Sequence, residues 1–229
     1  MIYMLAPRAR NLLTGGYIYN NEISSRIEPE DKRFSYKLVA SADQLPNPSQ
    51  VSLLVLDSLF MIMPSILESI ANRYKTCRLY GMIHFLPGRD PFLKEGERRR
   101  LAAIEGRFLS MLEGCITVSE AVKTDLVERG LSSEKIFVCP PGVDIGFFSP
   151  LDRDFTSIET NRVTALLTVA YISRSKNLLW LLRLLEKQKE SNWVWRIAGD
   201  IGNKEKDPYV NRFLNAIEKS PVRDRIFLL

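Results

Sequence analysis

An α/β fold built on two parallel sheets is what this 229-residue sequence predicts, and three observations carry the prediction. Short apolar runs alternate with helical patterns from end to end, the signature of strands laid parallel and joined by helices. A stretch without sustained period, residues 145–162, divides the alternation into two series. Just before it, Pro140, Pro141 and Gly142 force the chain off its sheet, because proline cannot donate to a ladder.

In order, Ile2 to Ala6 reads as a strand and Gly16 to Ile27 as a short helix; Phe34 to Ala40 and Val51 to Leu56 are strands. Pro64 to Tyr74 is a helix, Arg78 to His84 a strand, and Phe92 to Leu112 a long helix whose apolar face is Leu101, Ile104, Phe108, Met111 and Leu112. Cys115 to Val118 is a strand. Ser119 then offers a hydroxyl N-cap to a helix with Val122, Leu126 and Val127 on one face, and Gly130 ends it where a left-handed C-cap costs glycine little. Lys135 to Cys139 closes the first series. The second holds strands at Val163 to Ile172, Trp193 to Ala198 and Arg225 to Leu229, with helices at Lys176 to Lys189 and Asp207 to Lys219. Residues 1–144 are thus expected as one domain and 163–229 as a second. Three strands and two helices make half of a doubly wound domain, and the apolar finish at Leu229 has no covering helix, so the second domain is expected to be incomplete.

With 45% hydrophobic and 26% charged residues the chain can bury a full core. Its longest apolar stretch, Val51 to Ile62, is broken by Asp57 and Ser58 and falls short of the roughly 20 residues a membrane span needs. The start, MIYMLAPRAR, lacks a signal-peptide core, so a cytoplasmic location is expected. Cys77, Cys115 and Cys139 have no metal-ligand spacing and read as small buried hydrophobes. The net charge of +5 suits an anionic partner. Lys94, Arg98, Arg99, Arg100 and Arg107 form the densest basic cluster, either a solvated helix face or a patch for peripheral contact with the inner face of a membrane. Basic residues are not interleaved with aromatics on one surface, and no nucleic-acid partner is expected. There is no G-x-x-x-x-G-K-[ST], no G-x-G-x-x-G after a strand, no G-x-S-x-G and no C-x-x-C, which leaves phosphate-loop hydrolysis, dinucleotide redox and serine-hydrolase chemistry unsupported.

The run CITVSEAVKTDLVERGLSSEKIFVCPPGVDIGFFSP, Cys115 to Pro150, resembles the closing strand–helix–strand and interdomain exit of the family 4 glycosyltransferases, of the form VSxAVKxxLxxxGxxxEKIxVxPxGVDxxxFxP. The resemblance implies a GT-B-like fold of two Rossmann-like domains. It also implies transfer of a sugar from a UDP- or GDP-linked donor to a hydroxyl acceptor (glycan, lipid or small molecule) with retention of configuration, and no metal cofactor. Thr14, Gly15 and Gly16 follow the first strand and open a helix, where glycine admits close approach and free N–H groups meet an anion, although a simple turn reads equally well. The following YIYNNEI resembles the family's GGxxYNxxI opening, which implies Gly15 and Gly16 near the donor and Tyr19 and Asn20 on the acceptor side. His84, the sole histidine, ends the fourth strand and reads either as a structural hydrogen-bonder or, from that strand-end position, as a functional group; the resemblance implies a place beside the transferring sugar, where it helps stabilise the developing charge. Asp57 ends the third strand, as an acceptor-side residue or a cap for the helix beginning at Pro64.

Arg174 and Lys176 precede a helix, and Lys176 and Asn177 match the KN of the family's VGRLxxxKN, implying a cationic clamp on the donor diphosphate. Tyr171 stands where that pattern has its arginine, with Arg174 three residues on as the substitute. WRIAGD resembles the family's xxIxGxG turn, which implies Gly199 over the nucleotide. Asp152 and Asp154 have D-x-D spacing but fall in the linker, where a solvated turn is expected. The family's E-x₇-E element has no counterpart before Leu229, so the 229 residues are expected to show little transfer by themselves. The competing reading is a non-catalytic protein that keeps the sheets but has lost donor binding.

Overall fold

The computed structural model describes residues 1–8, 15–90, 92–143, 146, 163–201 and 207–229. The expected linker 145–162, apart from Gly146, lies outside them, as do Thr14, Asp152 and Asp154. The chain forms two compact units, Met1–Phe148 and Ser149–Leu229, each around its own parallel sheet.

In the first unit six strands, β1 (Ile2–Pro7), β2 (Phe34–Val39), β3 (Leu53–Asp57), β4 (Arg78–Ile83), β5 (Gly114–Thr117) and β6 (Ile136–Val138), lie in the order β2-β1-β3-β4-β5-β6. The inner strands are buried almost end to end, as expected where helices cover both faces. Helix α1 (Gly15–Glu30) covers one face, packing Tyr19 on Met4, Val55 and Met82. Helices α2 (Pro64–Arg73), α3 (Glu95–Ser110) and α4 (Glu120–Glu128) cover the other, over Leu5, Leu54, Leu56, Ile83 and Cys115.

Helix α4 ends as its sequence dictates. Ser119 Oγ accepts the Val122 N–H at 3.3 Å. At the far end Gly130 takes φ +91°, with Gly130 N–H on the Val127 carbonyl and Leu131 N–H on that of Leu126, a Schellman stop. Several helix boundaries differ from expectation, two of them by three residues. Helix α1 runs on to Glu30 through Pro29. Helix α3 begins at Glu95 rather than Phe92, because the Asp90 carboxylate takes the Phe92 N–H in a turn.

The apolar stripe of α3 also carries a charge. Glu105 is buried, accepting the Gly88 N–H at 2.5 Å and lying 2.6 Å from Arg129 at the end of α4. Arg89 reaches Asp125 and Glu128 on α4. The segment after β4 is thus tied to two helices.

The second unit holds β7 (Thr164–Val169), β8 (Trp193–Ala198) and β9 (Ile226–Leu228), in that order, with α5 (Leu178–Lys187) and α6 (Pro208–Glu218). Both crossovers advance in one direction, so their shared hand puts both helices on one face. Trp195, fully buried, packs there edge-on to Phe213 and donates to Thr168 Oγ1 at 2.9 Å. On the opposite face Leu167 and Phe227 flank Arg196 at one level, and Leu167 and Val169 are 65% and 75% exposed.

Candidate functional site

The strand order of the first unit reverses its direction of winding between β1 and β3, with α1 on one face and α2 to α4 on the other. At such a switch point the crossovers diverge and leave a crevice at the strands' carboxyl ends. The residues expected at the site from this unit lie there. Gly15 and Gly16 open α1 after β1, Asp57 closes β3, and His84 follows β4.

They are in contact. A Cβ built on Gly16 would stand 2.9 Å from His84 Cδ2 and 3.2 Å from Nε2, so the imidazole rests on the glycine. Nothing lies within 4 Å of a Cβ on Gly15. The Tyr19 ring meets the imidazole edge-on at 5.5 Å. Beneath it, His84 Nε2 lies 3.2 Å from Asn20 Oδ1 and 3.4 Å from Asp57 Oδ2, and Asn20 Nδ2 donates to that same Oδ2 at 2.5 Å. Asp57 Oδ1 accepts the Leu59 N–H at 2.7 Å, so Asp57 does cap a helix, but the short 3₁₀ turn Ser58–Ile62 rather than the one at Pro64. Asn20 and Asp57 are wholly buried, with the Asn20 amide and Asp57 Oδ2 turned to each other and to the ring. Tyr19 is nearly so, its hydroxyl donating to the Cys139 carbonyl at 2.7 Å.

Burial beside this cluster pushes the Tyr36 phenol up to about 12, with the Asp57 charge adding to it. Burial above all, and then Cys139, likewise raises Tyr19. Neither spacing nor period marks Tyr36; its membership follows from the parallel pairing that sets Tyr36 against Met4 in β1.

A groove of about 610 Å³ runs beside the crevice between α1 and the exit of β6, lined by Gly15, Ile18, Tyr19, Pro140 and Val143 among others. A second cavity, about 630 Å³, opens among Gly106, Glu113, Gly114, Arg129 and Lys135 and holds none of the expected site residues. Among the described residues no cluster of three or more His, Cys, Asp or Glu could hold a metal ion.

The remaining expected residues belong to the second unit. Arg174 and Lys176 occupy a 3₁₀ turn just before α5, beyond the carboxyl end of β7, and Asn177 takes the left-handed conformation at its end. Lys176 and Tyr171 are exposed. At Gly199 a Cβ would fall 1.9 Å from the Ala170 carbonyl oxygen, so only glycine lets the exits of β7 and β8 lie side by side.

A sequence model of Glycosyltransferase Family 4 matches residues 19–147, more than half the chain. The chain belongs to that family. Among solved structures it resembles a glycosyltransferase from Rickettsia africae at 17% identity and TM-score 0.62, covering all of this chain and 67% of that one. Anabaena HepE in complex with UDP-glucose matches at 16% identity and TM-score 0.67, over 99% of this chain and 68% of that one. The lipopolysaccharide outer core galactosyltransferase WaaB matches at 14% and 0.56, over all of this chain and 67% of the other. No curated protein matches. These likenesses show the GT-B fold, and the family carries the glycosyltransferase class.

Proposed function

We propose that this chain transfers a sugar from a nucleotide-diphosphate donor to a hydroxyl acceptor with retention of configuration. The observation that carries the reading is His84: it stands at the switch-point crevice on a glycine that admits it, its inner edge held by a buried amide and carboxylate. The bond from the anomeric carbon to the diphosphate breaks, the acceptor oxygen bonds that carbon from the same face, and its proton leaves with the nucleoside diphosphate. His84 is the group at the sugar. Lys176 and Arg174 neutralise the diphosphate, Gly15 and Gly16 line the approach, and Gly199 holds the turn over the nucleotide. Cationic side chains suffice for this task and no metal is invoked. HepE, solved with UDP-glucose, supports a nucleotide-sugar donor.

The domain division at 1–144 and 163–229 belongs to the same proposal, as does a cytoplasmic setting, where such donors are used. No described helix is long and apolar enough to cross a membrane. Exposed Lys94, Arg99 and Arg100 on α3 and its approach support contact with an anionic inner membrane face. Tyr171 in place of the family's arginine favours a second reading, a non-catalytic protein that retains the sheets.

Calorimetric titration with UDP- and GDP-sugars, followed by nucleotide release and the anomeric configuration of the product, tests both. Turnover with retention that falls at least 100-fold in His84→Ala supports catalysis. Donor binding without turnover supports the second reading, and an inverted product overturns the mechanism.

A further inference from the structure

The buried pair under His84 sets more than the position of its ring. The Asp57 carboxylate only accepts, so the Asn20 atom 2.5 Å from Oδ2 is the amide nitrogen. That choice turns Asn20 Oδ1 towards the imidazole, 3.2 Å from Nε2, while Asp57 Oδ2 lies 3.4 Å from the same nitrogen. Two acceptors converging on one ring nitrogen put the proton there. The Cδ2–Nε2 edge rests against Gly16. Nδ1 has no partner among the described residues and is not a buried atom left unsatisfied, so it is the nitrogen that keeps access to solvent.

We infer that Asn20 and Asp57 are positioning residues that hold His84, in its neutral form, as the Nε2–H tautomer and present the Nδ1 lone pair outward, to accept a hydrogen bond from a sugar hydroxyl. Only the last clause rests on the proposed transfer reaction. The rest concerns the resting protein. A buried carboxylate fixes the amide, and the amide fixes the imidazole.

His84 is the only histidine, so a long-range ¹H–¹⁵N spectrum of the whole labelled chain contains one imidazole. In the neutral ring the expected result is a protonated Nε2 whose proton exchanges at least ten-fold more slowly than in a free imidazole, with Nδ1 unprotonated. Asp57→Asn lets Asn20 turn over, and Asn20→Leu removes both its polar atoms. In each, Nε2–H exchange should rise at least ten-fold while the amide spectrum stays dispersed. With the thiols reversibly blocked, bromoacetate should alkylate Nδ1. An Nδ1–H tautomer in the wild-type chain, alkylation at Nε2, or exchange unchanged in both folded variants overturns the assignment. Should either variant fail to fold, the two wild-type measurements decide by themselves. None of these readouts requires turnover, so a failed tautomer assignment and a failed transferase reading are told apart.

Discussion

Gly16→Ala should separate the fit of the imidazole from helix propensity, with Gly15→Ala as its internal control. Both residues open α1, and replacing glycine by alanine within a helix gains up to about 1 kcal/mol. At Gly15 the new methyl meets nothing within 4 Å, so that gain should appear as a higher urea midpoint. At Gly16 the methyl would lie 2.9 Å from His84 Cδ2, 3.2 Å from Nε2 and 3.3 Å from Cγ. The ring cannot yield freely, since moving it breaks its approach to Asn20 and Asp57. Overpacking of this kind costs about 1–3 kcal/mol, so Gly16→Ala should end up about 1–3 kcal/mol less stable than Gly15→Ala. Displacement of a reacting group by about 1 Å can cost 100-fold in rate, and in the active enzyme Gly16→Ala should lose about that much. Equilibrium urea unfolding of both variants, with the imidazole resonance as a local probe, makes the comparison. Equal midpoints and an unmoved His84 resonance would refute the reasoning.

Other outcomes follow from the same structure. Glu105→Gln leaves Arg129 without its carboxylate and should destabilise the first unit by about 3–5 kcal/mol, read as a lower urea midpoint at unchanged slope. Burial pushes the Cys115 thiol up to about 12, so it should resist aromatic disulfide reagents at pH 8 until urea unfolds the chain, whereas exposed Cys139 reacts at once. Arg33 holds the Asp31 carboxyl at about 2, below its ordinary 3.8, through side-chain bonds first and then the backbone N–H. A lowered pKa stabilises above the ordinary value and is lost as pH falls towards the folded one. Wild type should therefore exceed Asp31→Asn in stability at pH 5, and the gap should close between about pH 4 and 2 in acid-unfolding curves.

What the sequence declares and what it withholds divide along a physical line. Ser119 and Gly130 bracket α4 because capping is local, decided by one hydroxyl and one positive φ. Gly16 and His84 were legible as strand-end residues for a similar reason. Their contact was not, since no spacing says that one stacks on the other. Glu105 lies beside the α3 stripe without any mark in the sequence, since its partners, Gly88 and Arg129, come from two other segments. Asp57 was legible as an acceptor-side residue or a helix cap and Asn20 as acceptor-side; that the two lie buried against each other no spacing declares. Periodicity tells which way a side chain points from its own element, but not what waits there.

The hydrogen bonds that hold His84 join residues 37 and 64 positions apart, Asn20 to Asp57 and Asn20 to the imidazole. Between them the chain must lay β2 on one side of β1 and β3 and β4 on the other. A nascent fragment ending before residue 84 lacks the imidazole and cannot complete this arrangement, and loop-closure entropy must be met before either bond forms. The crevice is consequently a late product of folding. An imidazole proton that is protected in the finished protein should gain that protection only as the central strands lock together, making a single side chain the clock of the whole sheet.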